Sequence, residues 1–180
     1  MFQIKKSLFA FVAVAAAFSV PQAFAMPGVD LGIMGGAGMT MPSFSGDLGG
    51  ATLSGGIGIS AGASLGVGPL EVSALYSQYS IKLEAGGESL SSTANYLDIP
   101  VLFRMGAGPI SFGVGGFYSL FLSDDSGTGD SDPNYGATAS VRFTLPVIGF
   151  FVDGRYNLGL KEEEQSKISS AAVYLGFNFL

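Results

Sequence analysis

The 180-residue sequence predicts an all-β chain, an eight-stranded antiparallel transmembrane up-and-down β-barrel. Three observations predict it. Segment after segment alternates an apolar residue with a small or polar one, the period-two signature of strands with two different faces. Charged residues make up only 12% of the chain, about half the fraction usual in a soluble domain. Short turns also alternate with longer polar connections along the chain, the asymmetry of barrels that cross a membrane.

Residues 1–25 read as a secretory signal peptide. Lys5 and Lys6 precede an uncharged apolar run over residues 8–20, and Ala23-Phe24-Ala25 supplies the small residues of a cleavage site after Ala25. The apolar run is short for a helical bilayer span of roughly 20 residues. Residues 26–180 then form one barrel domain. Loss of Lys5 and Lys6 with the leader leaves six basic residues against 14 acidic ones, a net charge of −8. Such a chain is a poor partner for nucleic acid, whose phosphates need Lys and Arg. Cysteine and histidine are absent, which excludes disulfides, thiolate metal sites and Ser–His catalysis.

The opening strand reads from the alternation of Val29, Leu31 and Ile33, followed by a Gly/Ser/Pro-rich loop over residues 40–50. In the second strand Ile57, Ile59, Ala61, Ala63 and Leu65 alternate with Gly58, Ser60, Gly62, Ser64 and Gly66. Gly68-Pro69 makes a tight turn, and Leu70, Val72, Ala74 and Tyr76 carry the third strand to a polar loop over residues 84–93. The fourth strand is the most informative: Leu97, Ile99, Val101 and Phe103 form one apolar face, with Asp98, Pro100, Leu102 and Arg104 opposite. Pro100 conflicts with an unbroken ladder and predicts a local bulge or a water there.

Gly108-Pro109 repeats the earlier turn about forty residues on. The fifth strand alternates Ile110, Phe112, Val114 and Tyr118 with Ser111, Gly113, Gly115, Phe117 and Ser119. An acidic loop spans residues 124–134. The sixth strand sets Tyr135, Ala137, Ala139, Val141 and Phe143 opposite Gly136, Thr138, Ser140 and Arg142. A turn at Pro146 leads to the seventh strand, with Phe150, Val152, Tyr156 and Leu158 opposite Phe151, Asp153, Arg155 and Asn157. A charged loop over residues 161–167 precedes the eighth strand, where Val173, Leu175, Phe177 and Phe179 alternate with Ala172, Tyr174, Gly176 and Asn178. The uncharged run over residues 105–122 is no helix span, because it holds five glycines and Pro109.

A soluble sandwich or barrel would turn its apolar faces inward and the other faces to water. Here the second faces are mostly Gly, Ser and Thr with a few charges, which suits a crowded lumen. The long aromatic faces suit lipid, and closure of the sheet satisfies every backbone group. Tyr76, Tyr118, Tyr135, Tyr156, Phe177 and Phe179 are the candidates for an aromatic girdle in a chain without tryptophan.

Several stretches resemble one family. Tyr96-Leu97-Asp98-Ile99-Pro100 with Arg104, Leu75-Tyr76-Ser77, the run from Asp153-Gly154-Arg155-Tyr156 to Leu160, and Tyr174-Leu175-Gly176-Phe177-Asn178-Phe179 are similar to strands of the small outer-membrane β-barrel domain family, the PorT-like and OmpX- and OmpA-like eight-stranded barrels. The resemblance covers residues 57–180. It implies residence in the outer membrane of a Gram-negative envelope, and a C-terminal strand read by the barrel-insertion machinery. The family usually ends on an aromatic residue, whereas here Phe179 is penultimate and Leu180 is last.

The lumen-facing charges are the candidate functional residues: Glu71, Asp98, Arg104, Arg142, Asp153 and Arg155. Glu71 and Arg104 flank adjacent short turns and predict one ion pair; Arg142 and Asp153 flank the Pro146 turn and predict another. Asp98 also has an arginine as its candidate partner. The acidic run Asp130-Ser131-Asp132-Pro133-Asn134 resembles the start of a calcium loop, but Tyr135 stands where glycine belongs and Val141 where the bidentate Glu belongs. The expectations are therefore no enzyme, no cofactor, no metal site and no nucleic-acid partner. The chain reads as a monomer in outer-membrane lipid with a filled lumen and a structural or surface-interaction role. The alternatives are a narrow channel for water, ions or small solutes, or an accessory of an envelope assembly or secretion system.

Overall fold

A computed structural model describes residues 28–44, 52–85, 88–124, 133–145, 149–160 and 166–179. Among them are nine strands in one sheet: β1 (Val29–Phe44), β2 (Thr52–Gly55), β3 (Ile57–Val67), β4 (Leu70–Ala85), β5 (Glu88–Ala107), β6 (Ile110–Asp124), β7 (Asn134–Thr144), β8 (Phe150–Gly159) and β9 (Ser166–Asn178). β2 and β3 both pair with β4 and are separated only by Gly56, so they are two pieces of one stave. All pairings are antiparallel. β1 pairs with β9 and β4 pairs with β5, which closes eight staves into a barrel.

The register sets how far the staves tilt. One ladder runs from Gly36 through Ser60 and Ser77 to Tyr96. In the other direction it runs from Gly36 through Tyr174, Asp153, Arg142 and Ser111 to Gly106. The two ends meet β5 at Tyr96 and Gly106, a stagger of ten residues around eight staves. That stagger belongs to a barrel tilted by roughly 35–45°, whose interior side chains fill.

The alternation sorts the faces as expected. Ile59, Tyr76, Val101, Phe112, Val141, Tyr156 and Leu175 are outward and exposed, whereas Ser73, Ser77, Leu102, Asp153 and Tyr174 are inward and buried. Most large apolar side chains on the outer face are exposed, from 37% for Leu120 to 76% for Ile57, an apolar surface far beyond the patch a water-soluble monomer leaves open. Lipid is its solvent. Phe150, Phe177 and Phe179 stack edge to face, each neighbouring pair 5.2 Å apart, at the short-turn end. Tyr118 and Tyr135 are direct cross-strand partners nearer the loop end.

Gly68 and Gly108 have φ of +58° and +62°, and each is followed by proline in a two-residue turn. A positive φ at the first central position fits a II′ hairpin, whose twist matches that of the strands. Inside the barrel, glycine makes room for rings: a Cβ on Gly176 would lie 2.1 Å from the Phe151 ring, and one on Gly136 2.8 Å from Phe117.

Several loop boundaries move. Residues 40–44 belong to β1, and Ser166 and Lys167 to β9. Most of the expected loop over residues 84–93 is strand, because β4 and β5 stay in register out to Ala85 and Glu88. Pro100 makes no bulge. Its ladder opens on the β4 side, where Ser73 and Ala74 lack pairing, while the register on either side is unchanged. The bulge lies instead at Asn95/Tyr96, opposite β6. The leader, residues 45–50, residues 125–132, the Pro146 turn and residues 161–165 lie outside the described residues. Of the calcium-loop pattern, Val141 faces outward and can hold no cation in the lumen.

Val173 sits in mid-strand on the outer face. Val173→Arg is expected to cost about 2–4 kcal/mol in lipid bilayers. Urea unfolding in liposomes checks this; a change within about 0.5 kcal/mol, normal for a watered surface, would contradict a lipid-facing exterior.

Candidate functional site in the lumen

The short turns bring the charges together. Glu71 enters the lumen two residues after Pro69, and the backbone N–H of Arg104 donates to the Pro69 carbonyl at 2.6 Å, which sets Arg104 beside it. Arg142 and Asp153 are direct partners in the β7–β8 ladder. Arg155 lies two residues further along β8 on the same face.

Both expected ion pairs form, and they merge into one cluster. Arg104 donates through Nε and Nη2 to the two Glu71 oxygens at 2.8 and 3.0 Å. The same Nη2 reaches Asp153 Oδ2 at 2.7 Å. Arg142 binds Glu71 at 2.6 Å and Asp153 at 2.9 Å. Arg155 completes it, 3.0 Å from Asp153 and 3.4 Å from Glu71. Two carboxylates thus hold three guanidinium groups, a local charge of +1. The Arg142 guanidinium also lies 4.0 Å over the Phe151 ring, and that of Arg155 lies 5.2 Å from Tyr174. Both contacts are sheltered from water, where cation–π attraction is strongest.

Asp98 does not join. Among the described residues it has no arginine partner, contrary to the expectation. Tyr79 donates to its Oδ2 at 2.6 Å and Ser119 to its Oδ1. Arg104, six residues further along β5, pairs with Glu71 as expected. Sequence reasoning put Phe151 and Tyr174 on the lumen faces of their strands without naming them as part of the site, and it passed over Tyr79, which shares the parity of Glu71 on β4.

The cluster sits at the floor of a cavity of about 240 Å3 at the short-turn end, lined by Asp30, Glu71, Arg104, Ser111, Arg142 and Asn178. Behind it Met34, Leu75, Phe151 and Tyr174 pack as a buried apolar cluster. Leu102 is also fully buried. No group of three or more His, Cys, Asp or Glu able to hold a metal occurs among the described residues. Chemically the arrangement is a cluster of opposed charges with one positive charge in excess, packed against buried side chains.

Fold and lumen together define the class: a small transmembrane β-barrel of eight staves with a side-chain-filled interior. No protein-family model and no curated protein matches the sequence. Solved structures do. Neisserial surface protein A, from Neisseria, matches at 17% identity with a TM-score of 0.58 over 82% of this chain and 96% of that one. Ail, the attachment invasion locus protein of Yersinia pestis, in complex with the heparin analogue sucrose octasulfate, matches at 16% identity with a TM-score of 0.50 over 83% of this chain and 98% of that one. Both are small eight-stranded outer-membrane barrels, so the fold implied by the sequence resemblance is the fold found.

Removing one acid strands several buried guanidinium groups. Asp153→Asn and Glu71→Gln are each expected to cost about 3–5 kcal/mol, the penalty of an uncompensated buried charge. The double variant should cost more than their sum, because it removes the last counterion from all three shared arginines. Denaturant midpoints of the three variants in one detergent check both statements.

Proposed function

We propose that the chain is an integral outer-membrane barrel of a bacterial envelope, exported by cleavage of residues 1–25, that works as a closed structural element and meets its surroundings through its loops. The observation that carries this reading is the filled lumen: a five-residue ion cluster backed by Met34, Leu75, Phe151 and Tyr174. A channel for water or ions needs a continuous wet path, and this packing supports a plug. With eight staves both termini lie at the short-turn end, the periplasmic side in this reading, and the long connections face outward. The chain acts as a monomer inserted through recognition of its C-terminal strand. No catalytic role is assigned, since no histidine is available as a base.

The outward loops are acidic. Asp124, Asp125, Asp130 and Asp132 share one, and Glu162, Glu163 and Glu164 another. The Yersinia barrel is seen with a polyanionic heparin analogue. Acidic loops repel a polyanion, and a cationic or neutral surface is the better match.

Outer-membrane fractions run on a gel with and without boiling test the barrel. A band whose mobility shifts on boiling is expected; recovery in the soluble periplasmic fraction without detergent would overturn the reading. In planar bilayers the protein is expected to show no steady conductance. A stable open level that changes with Arg104→Ala or Arg142→Ala would replace the plug by a channel.

A further inference from the structure

The sheet changes character where it leaves the lipid. On β4 the outward residues Val72, Ala74 and Tyr76 give way to Gln78, Ser80, Lys82 and Glu84. On β5 Ile99 and Leu97 give way to Asn95, Thr93, Ser91 and Ser89. Tyr76 marks the border: its hydroxyl donates to Asn95 Oδ1 at 2.8 Å, and the Asn95 amide donates to Ser123 Oγ at 3.1 Å. Yet the β4–β5 ladder holds its register out to Ala85 and Glu88. Ala85 is nine residues past Tyr76, roughly 30 Å further along the strand at about 3.3 Å per residue.

The inward face inverts in the opposite sense. Within the lipid zone it carries Glu71, Asp98 and Arg104; beyond it the same alternation brings Ile81, Leu83 and Leu90 to that face. Leu53, Leu83 and Leu90 are direct partners in one ladder across β2, β4 and β5. The ladders on either side, Ser54–Lys82–Ser91 and Thr52–Glu84–Ser89, belong to the other face and are polar. At the foot of this wall the rings of Tyr79, Tyr96 and Phe121 lie 5.7 and 5.6 Å apart, each half-buried. Beyond the membrane the polar face is therefore outside and the apolar face lies over the lumen mouth.

Little stands opposite this wall. Among the described residues β6 ends opposite Ala94, four residues short of Leu90, β7 reaches only to Asn134 opposite Ser119, and β8 ends at Gly159 opposite Gly136. The connections on that open side, residues 125–132 and 161–165, hold six acids, one lysine and no Leu, Ile, Val, Met, Phe or Tyr. Residues 45–51 add only Leu48 and Ala51. The chain thus supplies charge there but almost nothing apolar, whereas three leucines abreast outside the lipid need an apolar cover.

We propose that this wall docks a cationic amphipathic peptide segment of a partner, with its apolar side chains on the Leu53–Leu83–Leu90 ladder and its Lys or Arg residues against the acidic connections. The inference rests on the reading of those connections as outward-facing. An acyl chain would match the leucines alone, and a second copy would set acidic connections against each other; a cationic amphipathic segment matches both halves.

The test uses the mature barrel in nanodiscs of zwitterionic lipid, with empty nanodiscs as reference. The probes are three labelled peptides of equal length, built from Leu and Lys, Leu and Glu, or Ser and Lys. A gel shift on boiling first establishes the folded barrel for every variant, so a barrel that shifts yet binds no peptide sinks this inference alone. Fluorescence anisotropy is expected to show saturable binding of the Leu–Lys peptide above the empty reference, about tenfold tighter than either other peptide. Leu83→Ser and Leu90→Ser should each weaken it about fivefold, while Ser91→Gln on the polar face leaves it unchanged. Binding no better than to empty nanodiscs, equal binding of the Ser–Lys peptide, or undiminished binding to both leucine variants overturns the proposal. Equal binding of the Leu–Glu peptide would give the face to apolar ligands at large, and a dimer that Leu83→Ser splits would give it to a second copy; either result overturns it as well.

Discussion

Hydrocarbon offers no hydrogen bonds, so a sheet that enters it must close on itself. The other features of this chain follow from that closure. Pairing of β1 with β9 and of β4 with β5 removes both free edges within the barrel. Gly–Pro hairpins keep the connections at one end short enough to hold the stagger.

Closure at eight staves makes the lumen narrow, and narrowness dictates its chemistry. Large side chains enter where the neighbouring stave gives way, as Gly176 does for Phe151 and Gly136 for Phe117. Most inward charges are paired, and three arginines around Glu71 and Asp153 hold both carboxylates away from bulk water. Asp98 is the exception, held by the hydroxyls of Tyr79 and Ser119.

The alternation made the two faces of every strand legible, because a period of two leaves one apolar and one small or polar set wherever the two sides meet different solvents. The candidate lumen charges follow from parity alone, as do the pairs Glu71–Arg104 and Arg142–Asp153, which flank short turns. The extension of β4 and β5 past residue 84 was hidden by a run of serines, since polar composition marks a loop only when register does not continue through it. The fate of Pro100 was equally hidden. Whether a proline forces a bulge or merely opens a ladder depends on which neighbour its nitrogen faces.

The sequence by itself determined the alternating strands, the two Gly–Pro turns and the inward set of charges, all of which depend on near neighbours along the chain. Only the tertiary structure decided that two ion pairs become one five-membered cluster, that Arg155 completes it, and that Asp98 is left to Tyr79 and Ser119. Those outcomes depend on the ten-residue stagger, which slides distant staves past one another. Stagger is a property of the closed barrel as a whole, and no single strand carries it.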